Sequence, residues 1–216
     1  MRSFSVIDIW SLLLAVRWTV ALAVIALAGG ALGGLALALA RTSQSRRLQA
    51  VSRGFIILFQ GTPLLMQLFL IFFGFPVLGI DVNPWLAAGV ALIFNTSAFL
   101  GDIWRGCIQA VPKGQTEAAY ALNLGSFDRM RYVILPQAFK IAIPPTVGFM
   151  VQIIKGTSLT AIIGFAELTR TAQIINNATF APLPVFSLVA LLYFCLCWPL
   201  SKWSRQLERR LSAPLS

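Results

Sequence analysis

Residues 111–145 read VPKGQTEAAYALNLGSFDRMRYVILPQAFKIAIPP, the longest polar interruption in an otherwise apolar chain of 216 residues. The stretch reads as two short helices. Pro112 ends whatever precedes it and Gly114 loosens the turn, after which Thr116 to Leu122 are good helix formers with Glu117 in the first turn. Asn123 and Gly125 then stop the helix. A second helix starts at Ser126, a residue type that caps N-termini, with Phe127, Met130 and Val133 on one face and Asp128, Arg129 and Arg131 on the other. Pro136 is expected to interrupt it. The product is a water-exposed elbow in which Ala118 and Ala119 are small enough for another backbone to approach, the shape of a docking knob.

Around the elbow the chain is oily. Its mean hydropathy is +0.81 and 11% of its residues are charged, against roughly 25% in soluble domains. A formal charge of +10 raises the question of nucleic acid, but the basic residues sit in short segments between apolar runs, as in cytoplasmic loops, so no nucleic acid is expected. Cys107, Cys195 and Cys197 lie in apolar surroundings without C-x-x-C spacing, which reads as buried thiols rather than a disulfide or metal site. Histidine is absent, which removes histidine-dependent triads and the commonest metal ligand.

These features predict an all-α membrane protein, a single transmembrane domain over residues 1–216 with about five spans near 18–40, 54–75, 85–108, 146–164 and 185–200, each close to the ~20 residues that cross a bilayer. Residues 3–16 suit an interfacial helix leading into the first span, and hydrophobicity continues past them instead of ending at a signal-cleavage site. Gly29-Gly30 and Gly33-Gly34 form small patches that permit close helix packing. Arg41, Arg46, Arg47 and Arg53 form a basic loop with no acid. In the second span Gln60-Gly61-Thr62-Pro63 predicts a break, with Thr62 capping a helix that begins at Pro63. Residues 76–84 and 167–183 read as loops on the opposite side from the basic segments 41–53, 113–140 and 202–210, which gives an N-out, C-in topology and a cytoplasmic elbow.

Glu117-Ala118-Ala119 followed by Val133-Ile134-Leu135-Pro136 resembles the EAA loop of the membrane subunits of bacterial ABC importers, in which such a loop is a coupling helix seated in a groove of the ATPase. Gln60-Gly61-Thr62-Pro63-Leu64-Leu65, Lys155-Gly156-Thr157-Ser158-Leu159 and Gly164-Phe165-Ala166-Glu167-Leu168 are similar to segments of the polar amino-acid importers of that group. Three positions depart from the pattern: Asn123 where glycine is usual, Gln60 where arginine is common, and Gly156 where an acid is common. Asparagine is the next best residue at a positive φ angle.

The resemblance implies a coupling loop over 111–136, with ATPase docking through Glu117, Ala118, Ala119, Asn123 and Gly125. It also implies a substrate pathway that includes Lys155, Thr157 and Ser158, and a contact of Glu167 with a gate or a binding protein. Each residue has a plainer reading. Asn95, Thr96 and Ser97 in span three either face a cavity or bond to a neighbouring helix. Lys155 within a span costs about 2.5 to 3.5 kcal/mol on insertion scales, so it needs a partner, a ligand or water. Glu167 is either a contact residue or the salt-bridge partner of Arg170 three residues on. Asp102 and Arg105 read as an intrahelical pair near a span end.

Lys155-Gly156-Thr157-Ser158 lacks the order and the first glycine of a phosphate loop, so the chain is expected to have no nucleotide site and no cofactor, with ATP and Mg on a separate ATPase. The partners implied are ATP-binding subunits, a second membrane subunit, identical or paralogous, and a periplasmic or lipid-anchored substrate-binding protein, all at the bacterial inner membrane. The second reading is an ion-gradient-driven secondary transporter or channel using Asp102 or Lys155. An intramembrane hydrolase lacks a convincing nucleophile and base arrangement, since there is no histidine to act as base.

Overall fold

The computed structural model of the chain describes residues 2–211, which are mostly helical, with no strand among them. We number the helices α1 Val6–Thr42, α2 Arg46–Gly61, α3 Leu64–Val77, α4 Pro84–Gln109, α5 Lys113–Ala121, α6 Ser126–Ile163, α7 Leu168–Thr179 and α8 Pro182–Leu211. Of these, α1, α4, α6 and α8 are long and apolar enough to cross a membrane, and the bent pair α2–α3 makes a fifth crossing if taken as one.

The segment read as an interfacial helix is continuous with the first span: α1 runs for 37 residues without a break. Its start is fixed by Asp8, whose carboxylate accepts from the Ser5 backbone N–H at 3.0 Å and pairs with Arg2, a reciprocal cap with Ser5. The glycines of α1 then bring α4 close. A Cβ on Gly34 would stand 2.8 Å from Leu100 Cβ, and one on Gly101 would stand 2.9 Å from Leu37 Cβ, while Gly30 and Gly33 face Thr96 and Ser97. In lipid, where burying apolar surface gives helices little reason to associate, backbone approach of this kind holds them together.

The basic stretch 41–53 is mostly helix, not loop, with Arg46, Arg47 and Arg53 on α2. α2 and α3 meet at 102°. A proline forces the preceding residue into extended backbone, and Thr62 has φ −111 and ψ 139. The cap differs from the one expected: Pro63 occupies the position before α3, and the Thr62 hydroxyl turns back to the Leu58 carbonyl at 2.8 Å. Breaking a span frees carbonyls that lipid cannot satisfy. Gln67 meets that need, donating to the Phe59 carbonyl at 2.8 Å and the Thr62 carbonyl at 3.0 Å.

Pro136 does not interrupt the helix after the elbow, which corrects the sequence expectation. A wide, π-type turn over Arg129–Ile134 precedes it and places it in the first turn of the α-helical stretch Leu135–Thr157, where a missing N–H breaks no bond. Pro144 and Pro145 also lie inside that stretch. α6 ends in a tight 3₁₀ stretch, Ser158–Ile163, closed by Gly164 at φ 83. Beyond it, the segment read as an outer loop contains the twelve-residue α7. α8 extends through the basic tail to Leu211; Ser212–Ser216 lie outside the described residues. All three cysteines are free, with Cys107 and Cys197 buried and Cys195, against expectation, exposed.

Candidate functional site

The elbow is built from α5, its turn and the start of α6. Two bonds close the turn: Asn123 N–H donates to the Tyr120 carbonyl at 2.9 Å, and Leu124 N–H to the Ala119 carbonyl at 3.0 Å. This is a Schellman ending, which requires a left-handed residue. Asn123 supplies it at φ 55, whereas Gly125 has φ −61 and only precedes the next helix. Ser126 is therefore the first helical residue and not the cap. Arg129, read as part of a solvent face, lies over the Tyr120 ring at 4.1 Å and ties α5 to α6. Beneath the elbow, Val111 and Ile134 are buried together with Ala38, Ile108 and Ala138. Glu117, Ala118 and Asn123 remain exposed, and Ala119 is the buried anchor of the turn.

A second feature is a cleft of about 580 Å³ between the α2–α3 break, α4 and the end of α6, within the range of small-ligand sites. Gln60, Thr62, Asn95, Thr96, Gln152, Lys155 and Ser158 supply its polar lining, with Phe99 and Phe149 alongside. The two rings stack at 5.3 Å. The break thus gives the cleft one wall, because the bend turns Gln60 and Thr62 toward it.

The residues expected along a pathway divide into two groups. Asn95, Thr96, Lys155 and Ser158 line the cleft, but Ser97 and Thr157 do not. The Ser97 hydroxyl donates to the Ile93 carbonyl at 2.7 Å and faces Gly33. Thr157 is fully buried and donates to the Ile154 carbonyl at 2.8 Å. Asn95 does both jobs: it borders the cleft and donates to Gln67 Oε1 at 3.3 Å. Gln67 was not singled out in the sequence; a glutamine four residues after a proline break is its only signal.

Residues 30–213 match the family of binding-protein-dependent transport system inner membrane components. The chain belongs to this family. The permease is 38% identical over 197 residues to the glutamine transport system permease protein of Escherichia coli (strain K12), covering 90% of each chain. It is 37% identical over 197 residues to the L-cystine transport system permease protein of Bacillus subtilis (strain 168), covering 91% of this chain and 84% of that one. A solved structure described as a crystal structure of an amino acid ABC transporter with histidines superposes with a TM-score of 0.87 at 36% identity, over 93% of this chain and 94% of the other. The methionine transporter MetNI, in an inward-facing form, shares the fold at TM-score 0.79 and 18% identity, over 97% and 100%. The permease is therefore a multi-pass bacterial inner-membrane transport subunit of the amino-acid ABC importer type and not itself an enzyme.

Elsewhere in the permease, Glu167 is not a surface residue. It is fully buried and caps α7, accepting from Arg170 N–H at 2.8 Å, from the Tyr193 hydroxyl at 2.9 Å and from the Thr19 hydroxyl at 3.4 Å. Thr19 in turn accepts from Leu168 N–H at 3.2 Å. Its side chain thus sits at a junction of α1, α7 and α8. The expected salt bridge gives way to a bond from the backbone of Arg170, whose guanidinium turns instead to Gln173 at 3.4 Å. Burial pushes the Glu167 carboxyl above its usual range, against the pull of these donors. Asp102 and Arg105 form the expected intrahelical pair at 2.8 Å.

Proposed function

We propose that this permease is the membrane subunit of an ATP-driven importer that moves a polar amino acid across the bacterial inner membrane by alternating access. Two such subunits, identical or related, enclose the path. Each receives an ATP-binding subunit at its elbow, where ATP and Mg are bound by the partner, and a periplasmic or lipid-anchored binding protein delivers the substrate. In this reading the elbow is cytoplasmic, the N-terminus outside and the C-terminus inside, in keeping with the bias of arginine and lysine.

The observation that carries the proposal is that one helix joins the two candidate sites. α6 begins at the elbow and holds Gln152, Lys155 and Ser158 near its other end, about 45 Å away at 1.5 Å per residue. Closure of the ATPases on nucleotide moves Glu117, Ala118 and the turn at Asn123 and Gly125; α6 carries the motion to the cleft, which then opens to alternate sides. The test is reconstitution with the cognate ATPase. Glu117→Ala is expected to insert and fold normally yet lose at least tenfold in ATP-driven uptake. Unchanged uptake sinks the docking role, and uptake by ATP-free vesicles under an ion gradient would favour the secondary-transporter reading instead.

A further inference from the structure

The charge of the cleft points to a narrower ligand class than polar amino acids at large. Among the described residues that line it, Lys155 is the single ionisable side chain. The remaining polar groups are amides and hydroxyls, from Gln60, Asn95, Gln152, Thr62, Thr96 and Ser158. Part of this lining is already committed. Gln60 donates to the Ala98 carbonyl at 3.3 Å, Asn95 to Gln67, and the Thr62 and Ser158 hydroxyls to helix carbonyls at 2.8 Å and 2.6 Å. Gln152 and Lys155 are exposed.

An amino acid brings one carboxylate and one ammonium wherever it binds. The Lys155 ammonium complements the carboxylate as a strongly hydrated point charge. The side-chain oxygens of Gln152 and Asn95 and the faces of Phe99 and Phe149 suit the ligand's ammonium. That uses all the charge complementarity the cleft has. A second positive charge on the ligand would meet no carboxylate and would share a partly desolvated space with Lys155, where repulsion is weakly screened. A second negative charge would find no second cation.

We infer that the cleft selects zwitterionic amino acids whose side chain is polar but uncharged, and discriminates against cationic ones through Lys155. The inference rests on the amino-acid permease reading given above. It concerns what this cleft accepts, whatever the binding protein delivers.

Matched pairs of ligands isolate charge from size: L-citrulline against L-arginine, and L-glutamine against L-lysine. Equilibrium binding of each radiolabelled probe is measured on the permease assembled with its ATPase and second membrane subunit in lipid nanodiscs, without the binding protein. Within each pair that binds, the neutral member is expected to bind at least tenfold more tightly. Lys155→Glu should shift that ratio toward the cation by at least tenfold. Lys155→Gln, which keeps length and polarity if the glutamate variant fails to assemble, should bring it near one. Equal or tighter binding of a cationic member overturns the charge selection while leaving the amino-acid reading intact, as it would if the second membrane subunit set an acid against the cleft. A neutral-over-cationic ratio that persists in both variants overturns the role of Lys155. If none of the four probes binds, the amino-acid reading and the selection fall together.

Discussion

At the level of single residues, Asn123 and Glu167 each do more than their neighbours. Asn123 holds the left-handed turn that aims the elbow. Asn123→Gly should leave stability within about 1 kcal/mol, since glycine adopts that conformation freely. Asn123→Val, with a β-branched side chain at positive φ, should impair ATPase association in a pull-down while insertion remains normal. Glu167→Ala removes the acceptor of two hydroxyls and the α7 cap, and leaves buried donors unpaired. A loss of roughly 2 kcal/mol or more is expected, read as an earlier thermal unfolding in detergent. The pH dependence has a definite sign. The folded carboxyl titrates above the unfolded one, so its contribution is full below the ordinary carboxylate range and fades as pH rises through the raised value. Thermal unfolding across that interval should therefore show a downward slope with pH that Glu167→Gln abolishes.

What the sequence discloses about these two positions differs in kind. The turn at Asn123 is local: helix formers, then a residue tolerant of positive φ, all within a few positions. Glu167 is not. Its covering partner Thr19 lies 148 residues away along the chain, and no local pattern reports which distant hydroxyl will sit over a carboxylate. The same limit hid the division of the pathway residues. Asn95, Thr96 and Ser97 are adjacent on one helix, yet Asn95 lines the cleft, Thr96 borders it while packing on Gly30 of α1, and Ser97 meets only Gly33 of α1. Which side of α4 is covered depends on α1.

At the level of elements, the apolar spans were legible from hydropathy, whereas helix boundaries and the helices in polar segments, α7 and the start of α2, were not. Proline marked two places. At Pro63 it broke the span, because the chain there turns through a right angle and Gln67 stands ready to take the freed carbonyls. At Pro136 the break was absorbed by the wide turn before it. Pattern alone treats both prolines alike; the difference lies in where the displaced carbonyls find donors. Gln67→Leu should therefore destabilise the protein by about 1–3 kcal/mol, through unpaired backbone at Phe59 and Thr62. The glycine stripe of α1 gives a companion expectation. Gly34→Leu must displace Leu100, with Gly101 backbone behind it, and should lower stability by about 1–3 kcal/mol, checked by the same unfolding assay.

At the scale of the whole molecule, transport on this reading depends on α6 acting as a stiff connection between elbow and cleft. Placing two glycines at the exposed positions Lys140 and Phe139, between the two sites, adds about 1 kcal/mol of helix-weakening propensity. The expected result is a lower ratio of substrate moved to ATP hydrolysed, with hydrolysis itself preserved. An unchanged ratio would mean that the motion travels by another route, such as α4, whose end at Gln109 also meets the elbow.

The junction at Glu167 also sets an order on how the protein is made. Thr19 leaves the ribosome before Glu167, and Glu167 before Tyr193, so on the order of ten seconds or more of synthesis separates the first partner from the final one. Until α8 is in the membrane, the carboxylate lacks the donor that approaches it most closely from a side chain. A nascent or truncated chain that stops short of α8 thus holds Glu167 with only the Arg170 N–H and the Thr19 hydroxyl as donors. The junction of α1, α7 and α8 around Glu167 is therefore completed only when α8 is in place.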